Sequence, residues 1–334
     1  MTTQQVSLGE IAEKIRLAHS IVLSTHRQCD GDGLGCELAL FFALKKIGKS
    51  VRVINIDETP KKYEYLEPDR WIQYFETNPK LPDTLDLTLI FDTNDVRLLE
   101  PLYKHLAEKS RWLYFIDHHP LLENGPQPPT AHINMEAAST GELVYHLIKQ
   151  LGIEFDVDMA RALYTSISFD TQLFRFIRNS PNSHLIAAEL LRLPIDSETI
   201  HRHLFSHQTP QKIAFMGKVF SHLEYHEEGK IALTRISSED LKQYGLSFDE
   251  VRDVTDQIMS INTIEIAIMI RQESPTSHRI SMRSKGRYQV LQAAELLGGG
   301  GHWYAAGASY HGPQETLVKS LLKSLREQWS KNSA

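Results

Sequence analysis

The sequence predicts an α/β protein: an N-terminal open, mostly parallel sheet flanked by helices, plus a smaller α/β C-terminal domain, joined by a helical linker. Three observations carry this. Short apolar runs (Ile21-Val22-Leu23, Val51 to Ile56, Leu85 to Phe91, Trp112 to Ile116) alternate with stretches of helical periodicity, which is the pattern of repeated β-α-β units. Several of these runs lead into a histidine or carboxylate just past their C-terminal ends, where open parallel sheets bind ligands. Beyond residue 213 the pattern changes to alternating strands and a run of four glycines at 298–301, which marks a second domain.

In chain order, Ile11, Ile15 and Ala18 repeat at helical spacing and give a first helix over 8–18. The strand at Ile21 then runs into His26-Arg27-Gln28-Cys29-Asp30-Gly31-Asp32-Gly33-Leu34-Gly35, read as a loop ahead of a helix over 34–47. His26, Asp30 and Asp32 project from this loop, and its glycines are expected to let the backbone bend. One imidazole and two carboxylates suit a Mn²⁺-like or Mg²⁺-like ion better than a thiolate-loving one. Ordinary turn chemistry, with Asp30 capping the helix, accounts for the stretch about equally well when it is taken alone.

Val51 to Ile56 is the next strand, and residues 58–84, with four prolines, form a connection with short helical pieces. Leu85 to Phe91 is a strand ending at Asp92, a helix spans 98–108, and Trp112 to Ile116 runs into Asp117-His118-His119. Helices follow over 138–151 and 159–169; the second carries Ala162, Leu163, Ser166 and Ile167 on its apolar face and ends at Asp170. Repeated delivery of such residues to one sheet edge is poorly explained by turn chemistry, so the edge reads as a metal site.

The domain limits are set at 1–190, a linker at 191–212, and 213–334. His201, His203 and His207 are read as a solvated linker helix and not as a metal site. The second domain is expected to hold a helix over 209–220, a strand over 231–236, a helix over 251–258 and a hairpin of 264–270 with 278–284, turning at 274–276. A last helix starts near 314. The glycine run and the following His302 would let backbone N–H groups approach an anion, with Arg283 as a planar bidentate donor to phosphate.

Composition narrows the function. The 334 residues are 41% hydrophobic and 23% charged, an ordinary globular balance, and the formal charge of −6 argues against non-specific binding of long DNA or RNA. With only two cysteines, Cys29 and Cys36, a disulfide framework is excluded and a cytoplasmic setting is expected; no run reaches membrane-spanning length. Ser24, Thr25 and Cys29 lack an obvious base and orienting partner, so no side-chain nucleophile is expected.

Together, His26-x-x-x-Asp30-Gly31-Asp32-x-x-Gly35, Asp92, Asp117-His118-His119 and Asp170-Thr171 resemble the motifs of the DHH phosphoesterase family. Gly299-Gly300-Gly301-His302-x-x-Ala305-Ala306-Gly307, preceded by Arg283-Ser284, resembles its DHH-associated C-terminal domain. Length and layout are similar to the nanoRNase, or oligoribonuclease and pAp-phosphatase, branch.

The resemblance implies two divalent metal ions, Mn²⁺ foremost, with Mg²⁺ or Co²⁺ as alternatives. It implies that His26, Asp30 and Asp92 hold one and Asp32, Asp92, His118 and Asp170 the other. By the same resemblance His119 faces the scissile phosphate, Asp117 orients a histidine, and Arg283, Ser284, Gly299, Gly300, Gly301 and His302 bind substrate. The implied substrates are short RNA oligonucleotides, linear dinucleotides such as pGpG, or the nucleotide bisphosphate pAp; the sequence leaves the oligomeric state open and is compatible with a homodimer through an apolar face of the first domain.

The alternatives are a pyrophosphate or polyphosphate hydrolase, a cyclic-dinucleotide phosphodiesterase, and a non-catalytic nucleotide-binding regulator. The chain departs from the pattern at Cys29, where proline is usual and oxidation sensitivity is expected. It departs again at Cys36, where serine is common, and at Gln172, where glycine is frequent.

Overall fold

The computed structural model describes residues 3–121, 125–206 and 208–331. Two compact units result, Met1–His207 and Gln208–Ala334. The first contains β1 (Gln4–Gln5), α1 (Leu8–Leu17), β2 (Ser20–Thr25), α2 (Gly31–Lys46), β3 (Ser50–Asn55), α3 (Pro68–Trp71), β4 (Ile72–Tyr74), β5 (Leu85–Phe91), α4 (Leu102–Lys109), β6 (Ser110–Asp117), β7 (Thr130–Ile133), α5 (Thr140–Gln150), α6 (Val157–Asp170), α7 (Asn182–Leu190) and α8 (Ser197–Phe205).

Its seven strands lie in the order β1-β7-β6-β5-β2-β3-β4, every neighbouring pair parallel. From β2 the chain first builds outward through β3 and β4, then crosses back to add β5, β6 and β7 on the other side. The order therefore reverses between β2 and β5, and the crevice beyond their carboxyl ends is the position where such sheets take ligands. Alternating residues feed two cores: Ile21 and Leu23 point with Leu87 and Leu89 into the one lined by α1, α2, α5 and α6, while Val22 joins Ile90, Phe115, Leu102 and Leu106 on the opposite face. Burial on both faces explains why these strands read as continuous apolar runs.

The second unit contains α9 (Pro210–Ser221), β8 (Glu224–His226), β9 (Ile231–Ser237), α10 (Ser238–Tyr244), α11 (Val254–Met259), β10 (Ile266–Ser274), β11 (Ser277–Ser284), α12 (Leu291–Glu295), β12 (Gly300–His302), β13 (Ala305–His311) and α13 (Gln314–Lys331). The sheet order is β12-β13-β11-β10-β9-β8, parallel only between β9 and β10. The expected hairpin is present, with Ser274 opposite Ser277.

Four sequence expectations change. Helix α2 begins at Gly31, so Asp32 sits inside its first turn and not in a loop. The helix expected over 98–108 is divided: a 3-10 turn covers Val96–Leu99, and α4 starts only after Pro101, whose ring provides no N–H to continue a preceding helix. The histidine-rich segment is packed and not solvated, because α8 buries Ile200 and Leu204, His201 Nε2 lies 3.1 Å from the Tyr164 hydroxyl, and the His203 ring rests on Tyr65; His207 lies outside the described residues. Finally, the last glycines of the run form an edge strand, β12, with Gly300 opposite Gly307 and Gly301 opposite Ala306.

Candidate metal centre

The site is assembled at the carboxyl edge of the parallel sheet. After β2, the His26 Nδ1 lies 2.9 Å from the Arg27 carbonyl, which places the ring proton on Nδ1 and leaves Nε2 as an acceptor. That Nε2 is 3.8 Å from Asp30 Oδ2 and 3.7 Å from Asp92 Oδ2. The loop is pinned from outside: Gln28 turns with φ 55° and its N–H donates to both Asp57 carboxylate oxygens at 3.0 Å. Asp30 is the N-cap of α2, its Oδ1 accepting from the N–H groups of Asp32 at 2.9 Å and Gly33 at 3.3 Å while Oδ2 faces His26. Capping and membership of the cluster thus coexist in one side chain.

Asp32 is fully buried and saturated with donors. It accepts from the backbone N–H groups of Thr140 at 2.7 Å and Gly141 at 3.0 Å, the N-terminus of α5, and from the Ser166 hydroxyl of α6. The Cys36 thiol donates to it as well, at 3.6 Å. Helix α2 comes this close because it presents glycine. A Cβ on Gly35 would lie 2.4 Å from the Ala162 carbonyl oxygen, on Gly33 2.1 Å from Thr25 Oγ1, and on Gly31 2.7 Å from the Phe169 ring. Close approach, and not backbone bending, is what these glycines supply.

Asp92 follows β5 with φ 59°, a left-handed conformation uncommon outside glycine, asparagine and aspartate. Its Oδ1 accepts from Thr140 Oγ1 at 3.2 Å. Burial, then the charges of Asp32, Asp30, Asp117 and Asp170, push its carboxyl well above the ordinary range.

At the end of β6, His118 Nδ1 lies 3.2 Å from the Ala137 carbonyl, and its Nε2 is buried with no hydrogen-bond partner. The same Nε2 is 3.2 Å from Asp170 Oδ2, 3.8 Å from Asp32 Oδ2 and 3.9 Å from Asp92 Oδ1. Asp117 points back to hold its neighbours. Its Oδ1 accepts from the His118 N–H at 2.7 Å and the His119 N–H at 3.1 Å and lies 2.8 Å from His119 Nδ1, while Oδ2 accepts from Asn94 at 2.8 Å. Burial alone would lower the His119 pKa, but the hydrogen bond and charge of Asp117 outweigh it and raise it to about 9.

Among the described residues, three overlapping groups have ligand atoms within 4.8 Å of one another: His26, Asp30 and Asp92; Asp32, His118 and Asp170; and Asp92 with Asp117, His118 and His119. The donor set fits divalent cations. An imidazole lone pair buried without a partner among three carboxylates is costly unless a cation completes it, and oxygen and imidazole donors without thiolate suit Mg²⁺, Mn²⁺ or a similar ion. Cys29 does not alter this. It is 2% exposed, and burial, then the charges of Glu37 and Asp30, push its thiol well above the usual range, which opposes the oxidation sensitivity expected from sequence.

Of the residues expected to bind substrate, Arg283 donates from Nε to Asp256 Oδ1 at 3.0 Å, and the Ser284 hydroxyl donates to the Tyr288 carbonyl. The Gly298 and Gly299 N–H groups are bonded to the carbonyls of Glu295 and Ala294, each at 2.9 Å, closing α12. A Cβ on Gly299 would lie 2.1 Å from the Gly307 oxygen and on Gly301 2.5 Å from the Ala305 oxygen, so both glycines serve strand approach. The His302 side chain lies outside the described residues. Sequence reasoning missed Asn94, Thr140 and Ser166. Only Ser166 left a signal, as a hydroxyl within an otherwise apolar helix face four residues before Asp170.

Residues 20–167 match the DHH family, N-terminal domain, and residues 228–331 match the DHHA1 domain. The chain carries a DHH N-terminal domain and a DHHA1 domain. The aspartates and histidines after β2, β5 and β6 lie within the matched DHH region, while Asp170 lies just beyond it. The DHH chain is 26% identical over 324 residues to the bifunctional oligoribonuclease and PAP phosphatase NrnA of Thermus thermophilus, spanning 95% of this chain and 93% of that one. It is also 26% identical over 322 residues to the probable bifunctional oligoribonuclease and PAP phosphatase NrnA of Streptococcus mutans, spanning 94% and 98%. In fold it is similar to an exopolyphosphatase-related protein of Bacteroides fragilis, with a TM-score of 0.88, 23% identity, and 98% and 97% of the two chains covered.

Proposed function

We propose that this chain is a two-metal phosphodiesterase that hydrolyses very short RNA oligonucleotides or linear dinucleotides such as pGpG to mononucleotides, and also removes the 3′-phosphate of pAp. The observation that carries the reading is the unpartnered His118 Nε2 among Asp32, Asp92 and Asp170, next to a second group that shares Asp92. Two relatives that align over nearly the whole chain are both named for oligoribonuclease and PAP phosphatase activity, which supports the substrate class.

In this reading His26, Asp30 and Asp92 hold one divalent cation and Asp32, Asp92, His118 and Asp170 the other, with Mn²⁺ foremost and Mg²⁺ or Co²⁺ as alternatives. Bound there, the pair would offset phosphate charge and bring a water into the nucleophilic range at neutral pH. Asp117 fixes His119 through Nδ1, and the proton this favours on the imidazole is available to a phosphate oxygen of the substrate. Asn94 fixes Asp117 in turn. The Ser166 hydroxyl and the α5 N-terminus donate to Asp32 and favour its ionised form, opposing the burial that raises its pKa.

Arg283, Ser284, Gly299, Gly300, Gly301 and His302 are assigned to the terminal phosphate of the substrate. The Arg283 pair with Asp256 is partly exposed, and such pairs contribute little, so a phosphate can replace Asp256 at small cost. The test is a product time course with Mn²⁺ on pGpG, pApA, an RNA pentanucleotide and pAp. Mononucleotides are expected from the first three and inorganic phosphate from pAp, and Asp92→Asn abolishes all four. Hydrolysis of pyrophosphate with pGpG left intact would overturn the assignment.

A further inference from the structure

The ten residues after α6 adopt a conformation their sequence should resist. Gln172, Leu173 and Phe174 have φ of 47°, 58° and 64°, and Arg178 and Asn179 have φ of 52° and 54°, with no glycine among them. A left-handed backbone is disfavoured for all of these except Asn179, and strain of this kind persists where surrounding contacts enforce it. Here they do. The buried Thr171 accepts from the N–H groups of Arg175 and Phe176 through its carbonyl, at 2.9 and 3.0 Å, and from that of Phe174 through its hydroxyl, at 3.0 Å. The Phe174 ring is stacked on His184 at 5.1 Å, which locks the turn to α7.

This turn, which starts at the residue after the cluster carboxylate Asp170, leaves apolar side chains exposed. Phe176 is 56% exposed and Leu173 38% exposed. The Arg175 guanidinium lies 5.4 Å from the centroid of the Phe176 ring, so a cation occupies one side of that ring. The charge of Arg178 acts on Asp170, the cluster carboxylate that begins the segment. An exposed aromatic ring backed by one guanidinium, with a second near the metal-type residues, matches what a nucleotide offers, a flat base joined to a phosphate.

We propose that Phe176 is a base-stacking platform for the nucleotide bound at the cluster, with Arg175 supporting the ring and Arg178 attracting the adjoining phosphate. This rests on the nucleotide-hydrolase reading above. The turn thereby favours nucleotide esters over phosphate esters that lack a base.

The test compares Phe176→Ala and Phe176→Trp with wild type, using pGpG and the same dinucleotide with one abasic residue. Binding is read separately, as quenching of a 2-aminopurine dinucleotide with Ca²⁺ in place of the catalytic metal. Loss of one stacked base is expected to raise the KM for pGpG about ten-fold in Phe176→Ala, mostly without a matching fall in kcat. The abasic analogue should change far less, and Phe176→Trp should restore both KM and quenching.

Equal KM increases for both substrates, or quenching retained in Phe176→Ala, would overturn the platform while leaving the hydrolase reading intact. Quenching that depends on Phe176 in a protein that cleaves no dinucleotide would uphold the platform and overturn the hydrolase reading. A wild type that neither binds nor cleaves the dinucleotides overturns both.

Discussion

Asp92 concentrates the cost of this site in one residue. It is 5% exposed, left-handed, and surrounded by the carboxylates of Asp30, Asp32, Asp117 and Asp170. Without cations that arrangement opposes folding, since burial and like charge both disfavour the ionised form. Asparagine removes the charge, keeps nearly the same shape and tolerates positive φ. In chelator, Asp92→Asn is therefore expected to be more stable than wild type by about 1–3 kcal/mol, measured by urea unfolding. The same variant should lose the Mn²⁺-induced rise in Tm that wild type shows. A destabilised chelated variant would mean that Asp92 is a structural anchor first. The residue itself was legible, as a carboxylate just past an apolar run. Its left-handed φ was not, because the N–H is held by a hydrogen bond to the Ile116 carbonyl on the neighbouring strand, which local sequence does not record.

At the scale of elements, the junction between α2 and α6 aligns the cluster. Gly35 faces the Ala162 carbonyl and Ser166, and Ser166 in turn donates to Asp32. Gly35→Ala would place its Cβ 2.4 Å from a backbone oxygen that belongs to a helix and has little room to yield. The expected cost is about 3 kcal/mol, read as a lower Cm in urea, with a weaker response of Tm to metal because α6 moves Ser166 and Asp170 together. A variant with wild-type stability and metal response would show that the helices separate freely. Periodicity located both helices, and the strand-end positions of His26, Asp30, Asp92 and His118 were readable from it. The start of α2 was not, since Gly31-Asp32-Gly33 has poor helix propensity and reads as a turn; capping by Asp30 and burial against Thr25 and Phe169 override that preference. Asn94 and Thr140 were hidden for a different reason: their partners Asp117 and Asp92 lie on other elements, across long stretches of chain.

For the molecule as a whole, these carboxylates and His119 set the sign of the pH dependence. Asp92, Asp170 and Glu37 are held well above their ordinary values, mainly by burial. A group whose folded pKa is raised contributes stability below its unfolded pKa and loses it as pH rises through the folded one. His119, raised from 6.5 to about 9, acts in the same direction across that window. Groups that act oppositely, among them His118, His201 and His278 with lowered pKa values and carboxylates held low such as Asp117, Asp240 and Glu189, exert their effect below pH 6.5. Chelated protein should therefore lose stability steadily between pH 6.5 and about 9. Cations compete with protons for the same carboxylate and imidazole atoms, so their affinity rises with pH, and ligand that binds only the folded state adds about 2.7 kcal/mol at a hundred times its Kd. At a fixed Mn²⁺ concentration Tm should rise over the window in which it falls with chelator. Thermal scans across that range, with and without the ion, decide the matter: parallel slopes in the two series would mean that the buried carboxylates do not receive the metal.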